Sequence, residues 1–194
     1  MLILYGVPVS TYTTKVRIAL HAKGLAFDER PPPDGYRSDA WRAIIPTGTI
    51  PAIDHDGFLL SESEAIIEYL DDAFGGPSLL PGTPQMRARA RMLARVHDLM
   101  VEPSVRALFA LIRDPARRGA LPELAQAIEA RLAQLAALRP NRAVYLAGPE
   151  FSTADCGLAV TLALAQRLLQ ALGRPLDVPQ PLERWQAHTG HHAA

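Results

Sequence analysis

Apolar residues first gather in a short run, Leu2-Ile3-Leu4-Tyr5, that stops at Gly6 and Pro8. A run of this length bounded by turn formers predicts a strand. Lys15-Val16-Arg17-Ile18-Ala19-Leu20 then carries helical spacing and ends at Gly24, so the chain opens strand, loop, helix. Ala26 to Glu29 predicts a second short strand, and a β-α-β order across so short a helix calls for a parallel pair with a right-handed crossover. Pro31-Pro32-Pro33-Asp34-Gly35 imposes an irregular stretch, after which Ser38 to Ile44 predicts two helical turns. Ile50-Pro51-Ala52-Ile53-Asp54 and Phe58-Leu59-Leu60 flank His55-Asp56-Gly57, which is the pattern of two strands joined by an Asp-Gly turn. Ser61 to Phe74 predicts an amphipathic helix with Ala65, Ile66, Tyr69, Leu70 and Phe74 along one face.

Between Gly75 and Pro84 turn formers dominate, and beyond them no strand pattern returns. The chain therefore divides into residues 1–75, a linker 76–84 and a helical part 85–194. Met86 to Arg113 predicts a long helix bent at Pro103, followed by helices over Pro122 to Leu138, Thr153 to Ala171 and Pro181 to His188. The fold class is α+β: a β-α-β-α-β-β-α unit in thioredoxin-like order, then an all-α domain.

Composition narrows the function classes. At 194 residues the chain can bury a core without disulfide or metal staples. Lys and Arg number 20 against 20 Asp and Glu, so no summed field would gather nucleic acid or an anionic membrane, and neither is an expected partner. The single cysteine, Cys156, excludes an internal disulfide, suggests no zinc site, and fits a reducing compartment. No basic leader precedes Leu2 and no apolar run approaches the ~20 residues that span a bilayer, so a soluble, cytoplasmic protein is expected.

Three segments offer chemistry. Pro51 stands at the start of a strand, where it cannot donate to a ladder. A cis Ile50-Pro51 peptide would turn the Ile50 amide and carbonyl outward for an extended peptide to pair with; a trans proline capping an edge strand is the commoner alternative. Ser61 and Glu64 have capping-box spacing, which would leave Glu62 and Ser63 in a first helical turn. There Ser63 could hold an anion and Glu62 a cation, suiting the zwitterionic end of a peptide, although ordinary capping explains the same tetrapeptide. Ser10-Thr11-Tyr12-Thr13-Thr14 lies just before the first helix, where a hydroxyl can donate to a thiolate and free amides add positive potential. Taken alone, it is equally a helix cap.

Taken together, Leu4-Tyr5, Ser10 before Lys15-Val16-Arg17-Ile18-Ala19-Leu20, Ile50-Pro51-Ala52-Ile53 and Ser61-Glu62-Ser63-Glu64-Ala65-Ile66-Ile67-Glu68-Tyr69-Leu70 resemble the glutathione S-transferase family in order and spacing. Phe151-Ser152-Thr153-Ala154-Asp155 resembles that family's capping box at the start of a buried helix. The resemblance implies a cis Pro51, Ile50 pairing with the cysteinyl backbone of glutathione, and Glu62 and Ser63 holding its γ-glutamyl end. It also implies Ser10 as the catalytic hydroxyl, with Thr11, Thr13 or Tyr5 as the alternatives. Glutathione would be the cosubstrate, no metal would be needed, a hydrophobic electrophile would bind between the domains, and the protein would be a homodimer. The Ser10 segment is similar to the zeta class, whose pattern there is Ser-Ser-Cys or Ser-Ser-Ala; Tyr12 departs from it, and Thr49 replaces the Lys or Gln of many members.

The expected function is thus thiolate transfer to an electrophile. The alternatives are a glutathione-dependent maleylacetoacetate or maleylpyruvate isomerase or dehalogenase, and a glutathione-binding protein without turnover. Other residues carry less. Arg87, Arg91 and Arg95 form a stripe read as a solvated face, and Cys156 reads as a small buried residue. His188, His191 and His192 read as a chain end, and His55 and His97 lack partners at ligand spacing.

Overall fold

The computed structural model describes residues 1–189, which form parts of two compact units, Met1–Leu80 and one beginning at Pro81. In the first, strands β1 (Leu2–Tyr5), β2 (Asp28–Arg30), β3 (Ala52–His55) and β4 (Phe58–Ser61) make one sheet in the order β2-β1-β3-β4. β1 runs parallel to β2 and antiparallel to β3, and β3 and β4 form the hairpin. The second strand starts two residues later than its apolar pattern suggested, because pairing with Ile3 begins at Asp28 and this edge strand exposes all three residues. Asp56 and Gly57 turn the hairpin with φ of 51° and 90°, the left-handed pair that a two-residue turn requires.

Helices α1 (Thr11–Ala22), α2 (Asp39–Ile44) and α3 (Ser63–Ala73) complete this unit. Leu2, Ile3 and Leu4 are consecutive and all buried, so both faces of β1 are covered. Trp41 and Ile45 pack on Ala52, Tyr5 and Ile50. The buried stripe of α3 is Ser63, Ile66, Ile67 and Leu70, while Ala65 is exposed. The predicted face was therefore rotated: Tyr69 lies at the margin, where its hydroxyl meets His55 Nδ1 at 2.7 Å.

Residues 77–80 close on the same unit through Asp71. Its carboxylate accepts from the Leu79 amide at 2.7 Å, the Ser78 hydroxyl at 2.8 Å and the buried Lys23 ammonium at 3.0 Å. Burial pushes this carboxyl up, but the three donors outweigh it and hold Asp71 below the usual carboxylate range.

The second unit contains helices α4 (Pro84–Val96), α5 (Glu102–Arg106), α6 (Leu108–Arg113), α7 (Leu121–Leu138), α8 (Thr153–Ala171) and α9 (Gln180–Thr189) among the described residues. The single bend expected at Pro103 is a π turn over His97–Val101, in which the Glu102 amide donates to the His97 carbonyl. Proline has no amide to continue the ordinary ladder, and the widened turn directly precedes it. This places His97 in the core, with Nε2 2.8 Å from Thr161 Oγ1 and Nδ1 2.9 Å from Asp98 Oδ1.

Ser152 and Asp155 form the capping box of α8. The fully buried Asp155 carboxylate accepts from the Ser152 amide and hydroxyl, each at 2.9 Å, from the Leu146 amide at 2.8 Å and from Trp185 Nε1 at 2.7 Å. Burial pushes its pKa up while these donors pull against it. Cys156, next in α8, is buried.

Candidate functional site

Strand register brings the three candidate segments to one end of the sheet. Tyr5 pairs with Ala52, and Ala52 pairs with Ser61, so these three residues stand in one row across β1, β3 and β4. The loop to Ser10 leaves the row after Tyr5, Ile50-Pro51 enters it before Ala52, and Glu62-Ser63 leaves it after Ser61. No local pattern reveals this; it follows from antiparallel pairing, which sets the start of β3 beside the ends of β1 and β4.

Ser10 is the N-cap of α1, and its Oγ accepts the Thr13 amide at 3.2 Å. A hydroxyl that accepts through oxygen still has its proton to donate outward. The first turn of α1 contains no acidic residue, so its positive end is not neutralised from within. The neighbours are less suited. Thr13 is fully buried, with Oγ1 lacking a hydrogen-bond partner among the described residues, and packs where a Cβ on Gly6 would come 2.1 Å from its Cγ2. Thr11 is also buried, and the Tyr5 ring packs on Trp41 with centroids 5.2 Å apart.

The Ile50-Pro51 peptide is cis. Trp41 anchors the preceding residue by donating Nε1–H to the Thr49 carbonyl at 2.9 Å, while the amide and carbonyl of Ile50 have no hydrogen-bond partner among the described residues.

At the third segment the expected capping box is absent. Ser61 is the last residue of β4, paired with Ala52, and Glu62 stands between it and the first helical residue, so Ser61 lies one position too early to be the N-cap. The N-cap is Glu62, with φ of 75° and no side-chain cap bond. A non-glycine residue in this region costs roughly 1–3 kcal/mol, and such strain collects at ligand clamps. Glu62 is exposed, Ser63 is the first helical residue, and the Glu62 side chain makes no cap hydrogen bond to that turn.

Glu64, freed from the box, instead meets Lys15 of α1, with Nζ 2.6 Å from Oε1 and the lysine 1% exposed. This ion pair ties the first turn of α3 to α1 just inside Ser10. Sequence reasoning missed it because the two residues belong to separate helices; the only signal was a lysine at a position otherwise buried.

Elsewhere the readings vary. Arg91 and Arg95 are exposed on α4, while Arg87 donates to the Gly82 carbonyl at 2.9 Å. His191 and His192 lie outside the described residues. Among the described residues, no group of three or more His, Cys, Asp or Glu could hold a metal ion, and no helix is long and apolar enough to cross a membrane.

Comparison with known proteins bears on the family of this chain. A family model described as the glutathione S-transferase N-terminal domain matches residues 4–78. The chain is 30% identical over 177 residues to a glutathione S-transferase of Pseudomonas putida, covering 85% of this chain and 75% of the relative. It is 30% identical over 171 residues to maleylacetoacetate isomerase of Rattus norvegicus, covering 85% and 78%. Among solved structures, it superposes on a bacterial zeta-class maleyl pyruvate isomerase with a TM-score of 0.77 and 25% identity, covering 97% of this chain and 92% of that one.

Proposed function

We propose that this chain, which belongs to the glutathione S-transferase family of enzymes, ionises the thiol of bound glutathione and directs the thiolate onto an electrophilic carbon of a small hydrophobic molecule. The observation that carries this is Ser10, whose oxygen caps α1 by accepting the Thr13 amide while its proton remains to be donated. A thiol of pKa about 8.5 must move down by roughly two units to be mostly ionised at neutral pH, a preference of about 3 kcal/mol. One hydrogen bond to a charged group contributes about 1.5–3 kcal/mol and a helix end about 0.3–1, so the two suffice.

In this reading the Ile50 amide and carbonyl pair with the cysteinyl backbone of glutathione beside Pro51. The Glu62 carboxylate takes the ammonium of the γ-glutamyl end, and the Ser63 hydroxyl and amide take its carboxylate, which the uncapped first turn of α3 suits. The thiol proton leaves to solvent, the thiolate sulfur bonds to the electrophilic carbon, and the displaced group departs with the bonding pair. Cys156 is buried and takes no part. A homodimer acting in the reducing cytoplasm completes the proposal.

A second reading, glutathione-dependent isomerisation of a maleyl compound, is favoured by the similarity to maleylacetoacetate isomerase. There the thiolate would add to a cis double bond, allow rotation about the resulting single bond, and leave again.

Both readings are tested by titrating the protein with glutathione and following thiolate absorbance against pH, for the wild type and Ser10→Ala. A lowered thiol pKa in the wild type that returns toward the solution value in the variant supports the role of Ser10. Binding without a shift would leave only a glutathione-binding protein, and absence of binding removes both readings. Turnover of maleylpyruvate against aryl halides then separates isomerase from transferase.

A further inference from the structure

A cavity of about 380 Å³ lies wholly within the second unit, and cations dominate its polar wall. Arg139 and Arg142 come from the segment after α7, and Arg184 and His188 from one face of α9, with the neighbouring Trp185 and Pro181 adding apolar surface. Among the described residues no acidic side chain lines it. From this cluster we infer a binding site for a phosphate monoester carried on a small organic body.

The charge balance is the first argument. Lys15, Arg17, Lys23 and Arg174 each meet a carboxylate within 4 Å, but Arg139, Arg142 and Arg184 have no such partner among the described residues. Arg184 donates to the neutral Gln180 Oε1 at 2.9 Å. Arg139 donates to backbone carbonyls, those of Pro181, of Ala143 at 3.0 Å and of Tyr145 at 3.3 Å, and its buried Nε has no partner among the described residues. Burial pushes the Arg139 guanidinium down from its ordinary value, the Asp155 carboxylate opposes this, and Arg184 adds to it. Three guanidinium groups around one cavity in a chain of zero formal net charge leave a local excess that a dianion would balance.

The second argument is geometric. Arg142 has φ of 62°, a left-handed backbone that Gly or Asn adopts at less cost, so the turn holds an arginine at the cavity despite local strain. The anchors are fixed from behind: Trp185 is tied to Asp155 through Nε1, and the His188 ring packs edge-on to Tyr145 at 5.1 Å. Planar guanidinium forks match phosphate oxygens two at a time, and the volume is within the ~300–1,000 Å³ of small-molecule pockets. Val144 and Pro181 supply apolar wall for the organic body, with Val144 42% exposed.

The test is calorimetric titration of the full chain with phenyl phosphate at low salt, set against inorganic phosphate and phenol, for the wild type, Arg142→Ala and Arg184→Gln. Both variants alter exposed side chains, and their melting curves check folding. Expected are one saturable site, tighter binding of phenyl phosphate than of either fragment, and about tenfold weakening in each variant, the loss of one charge-assisted contact. Saturating glutathione should leave the affinity unchanged. Absence of saturable binding at millimolar concentration, equal binding of inorganic phosphate, competition by glutathione, or unweakened binding in both variants would each overturn the proposal.

Discussion

Lys15 and Glu64 form an ion pair, 2.6 Å from Nζ to Oε1, that joins α1 to α3. Its energetics differ from those of a surface pair, because removing one charge leaves the other, the lysine 1% and the glutamate 15% exposed, deprived of this counter-charge where little water reaches it. Lys15→Met should therefore destabilise the first unit by about 3 kcal/mol, seen as a lower urea midpoint, and Lys15→Met with Glu64→Leu should recover much of the loss. Equal stability of the single variant and the wild type would show that the pair contributes little.

Ser63 is the first residue of α3, and its proposed role is to hold a carboxylate. Ser63→Ala should weaken glutathione binding about tenfold, the value of one hydrogen bond to a charged group, while kcat at saturating glutathione changes little. Ser10→Ala should behave the other way, lowering kcat at neutral pH with a smaller effect on binding. Steady-state kinetics varying glutathione would distinguish the two; identical profiles would refute this division of roles.

Asp71 couples stability to pH. Its folded pKa lies below that of the unfolded chain, so its stabilisation is fully present above the unfolded value near 3.9 and is lost as pH falls through the folded one. Asp71→Asn should cost about 2 kcal/mol near neutrality and flatten the acid side of the stability curve, measured by urea unfolding between about pH 6 and 3. An unchanged acid limb would assign that pH dependence to other carboxylates.

Gly157 of α8 admits His97. A Cβ at this position would lie 2.6 Å from His97 Nδ1, so Gly157→Ala must displace the ring from its bonds to Asp98 and Thr161. The expected cost is about 2 kcal/mol, despite the better helix propensity of alanine. A rise in melting temperature would show that the ring moves without penalty.

These residues also mark how far the chain can be read without its structure. Local devices were legible: the Ser152-Asp155 box lies within one helical turn, Asp56-Gly57 supplies its own hairpin conformation, and Ser10 caps the helix it precedes. Each is settled by neighbours a few positions apart, where spacing alone determines geometry. Ser61-Glu64 had the same spacing and failed, because Ser61 ends the ladder to Ala52 and Glu62 stands between it and the first helical residue. The α3 face was misjudged for a related reason: periodicity identifies an apolar stripe, but the sheet and α1 decide which side of it is buried.

The amino-acid sequence by itself determined the order of elements, the thioredoxin-like pattern, the helical second part and the residue types available for thiol chemistry, since these depend on local propensity and hydrophobic period. Tertiary structure alone decided which of them meet. Strand register set Tyr5, Ala52 and Ser61 in one row, packing of α1 and α3 joined Lys15 to Glu64, and the return of α9 beside the segment after α7 gathered three arginines at one cavity. Contacts between distant segments arise from burying shared apolar surface, a property of the whole chain that no window along it contains.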